Sequence, residues 1–516
     1  MNKLFKSQYI GTGAFVLLSV LFAALAYYRL VVLNSDVLYL AQDLNYWQPG
    51  ALFLQQSLAE PGGIFSWAGC YLTQFLHEPV FGSSLLIIIW VAIAALLYWG
   101  CRLQGWLCWL AFVPSMILLW SETSLGYNIY LTKAQDWCFA PSLFVLVMSV
   151  LVFVLRWFPR WWRIAAQVIC LIVTIACASS WLSETKMPDS FCSPFAPMCD
   201  DQNFHHQIRM QRAADEGQWK DVLIEMRQTD QLPTRAMIMY KNMALLYQDR
   251  LHTDWLTYET RSQLPTIGND SIVVAISESI GPQIYFLHGS IGFSYRWAME
   301  NMVEYGHTAF GLRTMTRCAL IMGEDELANR YLNLLSGMHY QREWAENHRR
   351  FIGHPELLAD DPYFGIPLSI SRVRPDLLDG DNNKVEKYLL DTYSTNIQSE
   401  SDPLMKLNMM FALQSQDIRR FWNQFFTYAS AHKGEPMPRL YQEAAWLYGQ
   451  LEPQSVDVSQ MPFDKEVIET HQRFLKVTTR LMQQGMSEQA MANSTRREFG
   501  QTFFWNYFFC RGIKLY

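Results

Sequence analysis

The stretch PVFGSSLLIIIWVAIAALLYWGC, residues 79–101, decides the fold class of this chain, because it contains 23 consecutive residues without a charge. About 20 apolar residues make a helix long enough to cross the hydrocarbon core of a bilayer. A backbone in hydrocarbon must satisfy its own hydrogen bonds, which favours a helix over an isolated strand. This stretch therefore predicts a transmembrane helix.

Four further stretches of 19–22 residues within residues 1–183 also lack charged residues, so we expect five membrane spans. Pro114 lies within the third of them, where a proline is tolerated. The predicted spans cover residues 7–28, 80–101, 103–121, 137–155 and 164–183.

Charge separates this membrane part from the rest of the chain. The 516 residues contain 41 Lys and Arg and 47 Asp and Glu, of which residues 1–183 contain only eight and six. We therefore predict a transmembrane domain at 1–183, a linker at 184–204 and a water-soluble domain at 205–516. The net charge of −6 gives no reason to expect a nucleic acid as a partner.

The short connections between spans predict the orientation of the chain. Basic residues collect on one side of the membrane, and they are Lys3, Lys6, Arg102, Arg156, Arg160 and Arg163. By the positive-inside rule this side is cytoplasmic, so five crossings would place residues 205–516 in the periplasm. The first span also fits a cleavable signal peptide, with Ala24-Leu25-Ala26 as a small-residue site, and this alternative stays open.

The region after residue 200 predicts an all-α domain, because apolar residues repeat at spacings of three and four. One helical-hairpin pattern occurs three times, with an alanine four residues before a capping position. The three pairs are Ala213 with Gly217, Ala319 with Gly323, and Ala412 with Gln416. These hairpins are similar to tetratricopeptide repeats, but their spacing is irregular. Such a stack favours a protein-binding role, and a compact lid on the membrane domain is the alternative.

Two outer loops contain the candidate catalytic residues. The acidic loop at 34–79 has no Lys or Arg, and its amphipathic segment from Ile64 to Leu76 indicates a helix lying in the membrane interface. Carboxylates held there could act as a general base in a lipid-linked reaction, although acidity is also expected of any outer loop. The candidates are Asp36, Asp43 and Gln74, joined by Lys133 and Asp136 of the second outer loop.

No established catalytic motif accompanies these residues. The chain has no HExxH, no Walker A loop and no CxxC sequence, so we predict neither a cofactor nor a metal. Cys192 and Cys199 flank a loop with two prolines just after the last span. A disulfide between them is possible in an oxidising compartment, and two free thiols are the alternative.

Several helix-packing stretches resemble a bacterial membrane-protein family catalogued as domain of unknown function 6057. The stretches are 61–79, Tyr240 to Leu246, Met315 to Trp344, and Tyr441 to Ala444. The resemblance covers nearly the whole chain and implies an inner-membrane protein of a diderm bacterium with a periplasmic helical domain. It implies no activity, ligand or catalytic residue.

Two functional hypotheses follow from these observations. The first is a membrane-anchored periplasmic scaffold that binds the bilayer and another envelope protein. The second is an enzyme, because the first span and its acidic loop are also similar to those of lipid-linked polyprenyl-phosphate glycosyltransferases. In those enzymes an acidic residue soon after span one acts as a base, a role that Asp36 or Asp43 would take here. Five spans are fewer than that class usually has, so we favour the scaffold.

Overall fold

The computed structural model describes most of the chain, and every regular element in the described residues is a helix. The described residues are 2–59, 62–124, 126–130, 138–184, 202–262, 270–374, 376, 385–397, 400–454 and 456–510. The predicted all-α fold class is thereby confirmed at this level.

Among the described residues up to 184 there are eight α-helices, joined in places by 3-10 or π-helical turns. They are α1 (Asn2–Tyr27), α2 (Ser35–Asp43), α3 (Ala51–Ala59), α4 (Gly63–Thr73), α5 (Pro79–Gly100), α6 (Val113–Glu122), α7 (Ala140–Val154) and α8 (Arg160–Glu184). The irregular turns are a π-helix at Tyr28–Leu33 and 3-10 helices at Gln74–His77, Gly105–Phe112, Gly126–Tyr130 and Leu155–Trp157.

In the part of the chain that the structure describes, four helical segments are long and apolar enough to cross a membrane. They are Gly11–Leu33, Pro79–Gly100, Gly105–Glu122 and Ala140–Trp157. The third is divided, because Pro114 lies in the first turn of α6 and a 3-10 helix precedes it. A proline fits the first turn of a helix, where its missing N–H has no intrahelical partner.

The fifth predicted span falls in α8. This helix is continuous over 25 residues, but its side chains are described only as far as Ala176. The four apolar segments given above belong to the described residues. Because the last part of α8 is not among them at the level of side chains, the fifth span stays a prediction.

Eighteen further α-helices occur in the described residues after 201. They are α9 (Gln202–Asp215), α10 (Trp219–Gln228), α11 (Arg235–Tyr247), α12 (Leu251–Asp254), α13 (Asp270–Leu287), α14 (Ile291–Tyr305), α15 (Ala309–Met322), α16 (Asp325–Ser336), α17 (Arg342–Arg349), α18 (Pro355–Asp360), α19 (Gly365–Val373), α20 (Val385–Thr395), α21 (Asp402–Ser415), α22 (Ile418–Ala431), α23 (Arg439–Leu451), α24 (Lys465–Gln483), α25 (Glu488–Phe499) and α26 (Phe503–Phe509).

In each hairpin that the sequence predicts, the residue that ends the first helix has a left-handed backbone conformation. Gly217 has φ 70°, Gly323 has φ 75° and Gln416 has φ 53°. Glycine adopts this conformation at little cost, whereas a residue with a Cβ is disfavoured there. Gln416 is held by its own side chain, whose Nε2 donates to the carbonyl oxygen of Cys510 at 2.8 Å.

The chain divides into two compact units that alternate along the sequence. The first unit contains residues 1–208, 269–279 and 297–353, and the second contains 209–268, 280–296 and 354–516. The first unit therefore combines the apolar helices with α15, α16 and α17.

Each unit has its own core. In the first unit the largest fully buried side chain is Trp90, whose Nε1 donates to Ser142 Oγ at 2.9 Å. In the second unit the aromatic C-terminal helix α26 contributes Phe503, Phe504 and Trp505, all buried. The backbone N–H of Phe503 donates to Glu443 Oε2 at 2.8 Å, which caps this helix.

Candidate functional site

The acidic loop of the first unit is paired with basic side chains from much later in the chain. Asp43 is the last residue of α2, a helix in which every residue from Asp36 onward is buried. Arg313 Nη1 donates to Asp43 Oδ1 at 3.0 Å, and Arg313 Nη2 donates to Asp43 Oδ2 at 2.8 Å. The pair is bidentate, a geometry that the planar guanidinium favours.

A third side chain extends this ion pair. Arg313 Nη1 also donates to Gln341 Oε1 at 3.0 Å. Arg313 and Asp43 have side chains only 4% and 9% exposed, so water does not screen their interaction. A buried charge is tolerated when an opposite charge and hydrogen bonds surround it, and both conditions hold at Asp43.

Asp36, at the other end of α2, is paired with His205 of α9. The two oxygens of Asp36 lie 3.1 and 2.9 Å from His205 Nδ1. Both side chains are less than a tenth exposed. Within the described part of the chain, His205 Nε2 is buried and has no hydrogen-bond partner. A neutral imidazole that donates from Nδ1 carries its lone pair on Nε2, so this nitrogen is able to accept a proton.

Tyr130 lies in the surroundings of this dyad. Burial raises the pKa of the Tyr130 hydroxyl, and the nearby charge of Asp36 raises it further. The tyrosine therefore stays protonated at neutral pH and can only donate or accept a hydrogen bond there.

Backbone and ring contacts attach the rest of the acidic loop to α15 and to the segment between α16 and α17. Ala309 N–H, in the first turn of α15, donates to the carbonyl oxygen of Asn45 at 3.1 Å. His339 N–H donates to the side-chain oxygen of Gln74 at 2.9 Å. The ring of His77 stacks on Tyr340 with centroids 4.5 Å apart. Gln74, a sequence candidate, is thus a backbone acceptor in this structure.

A second set of polar contacts joins the apolar helices to one another. Ser142 Oγ donates to Glu122 Oε1 at 3.3 Å, so Trp90, Ser142 and Glu122 form a buried chain of hydrogen bonds. Arg29 Nη2 donates to Thr123 Oγ1 at 2.9 Å and to the Thr123 carbonyl oxygen at 3.1 Å. Such contacts fix the packing of helices in lipid.

The remaining sequence candidates cannot be placed. Lys133 and Asp136 lie in the segment 131–137, and Cys192 and Cys199 lie in 185–201, all outside the described residues. No group of three or more His, Cys, Asp or Glu residues that could hold a metal ion occurs in the part of the chain that the structure describes.

The sequence analysis did not single out Arg29, His205 or Arg313 as partners of the buried polar groups described above. Arg313 and Arg317 are two charges within α15, whose other side chains are apolar or small. Both are buried, and Arg317 lies over the ring of Trp344 at 5.3 Å. Charges at core positions of a helix indicate buried partners, so this signal was available in the sequence.

The described residues define the class of this protein as all-α, with four helices among them that are long and apolar enough to span a membrane. The chain belongs to the family of unknown function DUF6057, which matches residues 9–183 and 163–511. The resemblance stated from the sequence is therefore confirmed. No curated protein and no solved structure matches the chain.

Proposed function

We propose that this protein is a membrane-anchored scaffold whose helical region binds another envelope protein. The observation that carries this proposal is the buried ion pair between Asp43 and Arg313. A general base needs an available lone pair and access to substrate. Both oxygens of Asp43 instead accept hydrogen bonds from Arg313, so this carboxylate holds two parts of the fold together.

Five membrane crossings are part of the proposal, and the Asp36–His205 contact supports them. Three candidate spans separate Asp36 from residue 158, so these positions lie on opposite sides of a membrane that all three cross. His205 contacts Asp36 directly, which supports one further crossing between 158 and 205. Among the described residues α8 is the helix available there, and it exposes Ile169, Ile172 and Ile175.

The distribution of basic residues supports an inner-membrane location with the acidic loop outside the cytoplasm. Arg102, Arg156, Arg160 and Arg163 all lie on the side opposite to Asp36 in this arrangement. The positive-inside rule assigns that side to the cytoplasm. The helical region would then extend from the periplasmic face.

A surface suited to a protein partner lies on α24 of the second unit. Leu475 and Met482 are seven residues apart on this helix, so they share one face, and both are exposed. Met adapts its shape to different partners. We assign this face, rather than the acidic loop, to the binding of the envelope partner.

Native-complex analysis tests the scaffold. The full chain, extracted in mild detergent from its own membranes, should migrate in a larger complex than the purified chain. Leu475→Asp combined with Met482→Asp should abolish the larger complex, whereas Lys476→Asp, at an exposed polar position of the same helix, should preserve it. A wild-type chain that migrates alone in native membranes would contradict the scaffold.

A second candidate function is a membrane enzyme, and the Asp36–His205 dyad is the observation that favours it. Of the two candidate carboxylates that the structure describes, Asp36 and Asp43, only Asp36 is paired with a group that retains a proton-accepting atom without a hydrogen bond. In this version Asp36 orients His205, and His205 Nε2 accepts a proton from a hydroxyl of a lipid-linked acceptor.

Complementation separates this enzyme from the scaffold. His205→Gln should lose the activity of the gene in a deletion strain while the thermal unfolding midpoint changes little. His206→Gln is the matched control, since it makes the same change at the neighbouring residue of α9 and leaves the dyad intact. Full complementation by His205→Gln would eliminate the enzyme.

A further inference from the structure

Helices α3 and α4, in the middle of the acidic loop, expose more apolar surface than water-soluble helices usually do. Leu52 is 70% exposed, Leu58 54% and Ile64 49%. No residue of α3 is buried. The one charged residue between Leu44 and Leu76 is Glu60, which lies outside the described residues. This surface lies outside the five predicted spans. Their passage through the membrane therefore does not explain what covers it.

The packing of α4 is the reverse of that of a helix in water. Its buried residues are Ser66, Gly69, Cys70 and Thr73, all small, whereas Ile64 and Tyr71 point outward. A water-soluble protein buries its large apolar side chains. Helices in lipid instead contact each other through small residues, because lipid solvates the large ones.

The register between α4 and α7 gives the depth of α4 relative to a membrane span. A Cβ on Gly69 would lie 3.0 Å from the Cβ and N atoms of Ala140, the first residue of α7. One turn further along, the ring of Phe65 meets that of Phe144 at 5.5 Å. The two helices are therefore antiparallel. The N-terminal end of α4 lies beside the part of α7 that is further into the membrane.

The length of the span converts this register into a depth. The span Ala140–Trp157 has 18 residues, which at ~1.5 Å per residue is about 27 Å, close to the hydrocarbon thickness of ~30 Å. Ala140 thus marks one edge of the hydrocarbon. Phe65 lies about 6 Å inside that edge and Gly63 about 9 Å, by the same rise per residue.

The end of α3 lies beside the start of α4. Gly62 and Gly63, at that start, have φ values of 94° and 47°, a conformation that favours glycine. A Cβ on Gly63 would lie 3.7 Å from Leu58 Cδ2. The two helices therefore pack as a hairpin, and by the register above their adjacent ends are the deepest of its described residues.

We propose that α3 and α4 form a re-entrant hairpin that enters the bilayer leaflet on the side of Asp36 and contacts its acyl chains. The occupant of the exposed apolar surface is lipid, because the surface continues the exposed face of α7, where Val147 and Leu151 are also apolar. A helix lying flat in the interface would instead keep Ile64 and Tyr71 at equal depth.

Spin-label accessibility in phospholipid vesicles tests this hairpin. Nitroxides are attached to single cysteines at positions 58, 64 and 71 of the full chain, in a variant without the ten native cysteines. Collision with oxygen should exceed collision with a water-soluble nickel chelate at 58 and 64, and the ratio should be lower at 71. Ile88, exposed on a span, is the lipid control, and Val303, 79% exposed beside Glu304, is the water control.

Two outcomes would overturn the proposal: labels at 58 and 64 that behave like the label at 303, or equal ratios at 64 and 71. If the cysteine-free chain does not fold, a benzophenone side chain at position 64 of the otherwise native protein replaces the labels. Irradiation should then add the mass of one phospholipid at 64 and at 88 but not at 303. Absence of a lipid adduct at 64 would contradict the hairpin.

Discussion

Asp43 and Arg313 are 270 positions apart in the chain, and they form a buried bidentate ion pair. The pair connects the loop between the first two spans to a helix that lies beyond the last predicted span. Because Gln341 and the backbone contacts of Asn45 and Gln74 reinforce it, the apolar helices and α15 to α17 fold as one compact unit.

Breaking this ion pair should destabilise the protein strongly. Asp43→Asn leaves the Arg313 charge buried without its counter-charge, and removing one partner of a buried pair costs about 3–5 kcal/mol. Thermal unfolding of the detergent-solubilised chain measures the loss. Glu326→Gln is the matched control, since the Glu326–Arg330 pair is 83% and 70% exposed and should contribute at most about 1 kcal/mol. Equal losses in both variants would contradict a buried pair.

The contact between Gly69 and Ala140 should tolerate no larger side chain. Gly69→Leu would force α4 away from α7, at a cost of roughly 1–3 kcal/mol, which is typical of overpacking. Gly13→Leu serves for comparison, because no atom lies within 4 Å of the Cβ position at Gly13. We expect a lower thermal midpoint for the first variant and little change for the second. An unchanged midpoint in Gly69→Leu would mean that the helices are not in contact.

His288, in the second unit, should make stability depend on pH. Burial lowers the pKa of His288 to about 4 from its ordinary value of 6.5. Between these values the unfolded chain binds a proton that the folded chain does not, so stability falls as the pH is lowered from 6.5 to 4. The contribution is on the order of 1–3 kcal/mol.

The measurement compares urea unfolding at pH 6.5 and at pH 4.5 in wild type and His288→Leu. The variant should lose less stability between the two pH values than the wild type. His354→Leu, at an exposed position, should behave as the wild type does. If all three proteins lost the same stability between pH 6.5 and pH 4.5, His288 would bind its proton as readily in the folded chain as in the unfolded chain, which would contradict the prediction.

Local features of this fold were readable from the sequence. The capping residues Gly217, Gly323 and Gln416 adopt the left-handed conformation that the hairpin pattern predicts. Four of the predicted spans coincide with helices that qualify by length and composition. These features depend on residues within a few turns of one another, so a short window of sequence contains the information.

The site was less predictable, because its partners are far apart in the chain. Asp36 and Asp43 were recognised as unusual, but the sequence shows neither that His205 pairs with the first nor that Arg313 pairs with the second. The amphipathic pattern of α4 was recognised as well. Which of its faces is buried depends on its contact with α7. An amphipathic pattern alone does not show whether the exposed face of the helix lies in water or in lipid.

The most direct test of the account is the side of the membrane on which the chain lies before and after α8. Dual reporters, a phosphatase that is active only in the periplasm and a fluorescent protein that is bright only in the cytoplasm, are fused after Phe158 and after Tyr516. A fifth crossing by α8 predicts the cytoplasmic signal at Phe158 and the periplasmic signal at Tyr516. The same reporter active at both positions would contradict it.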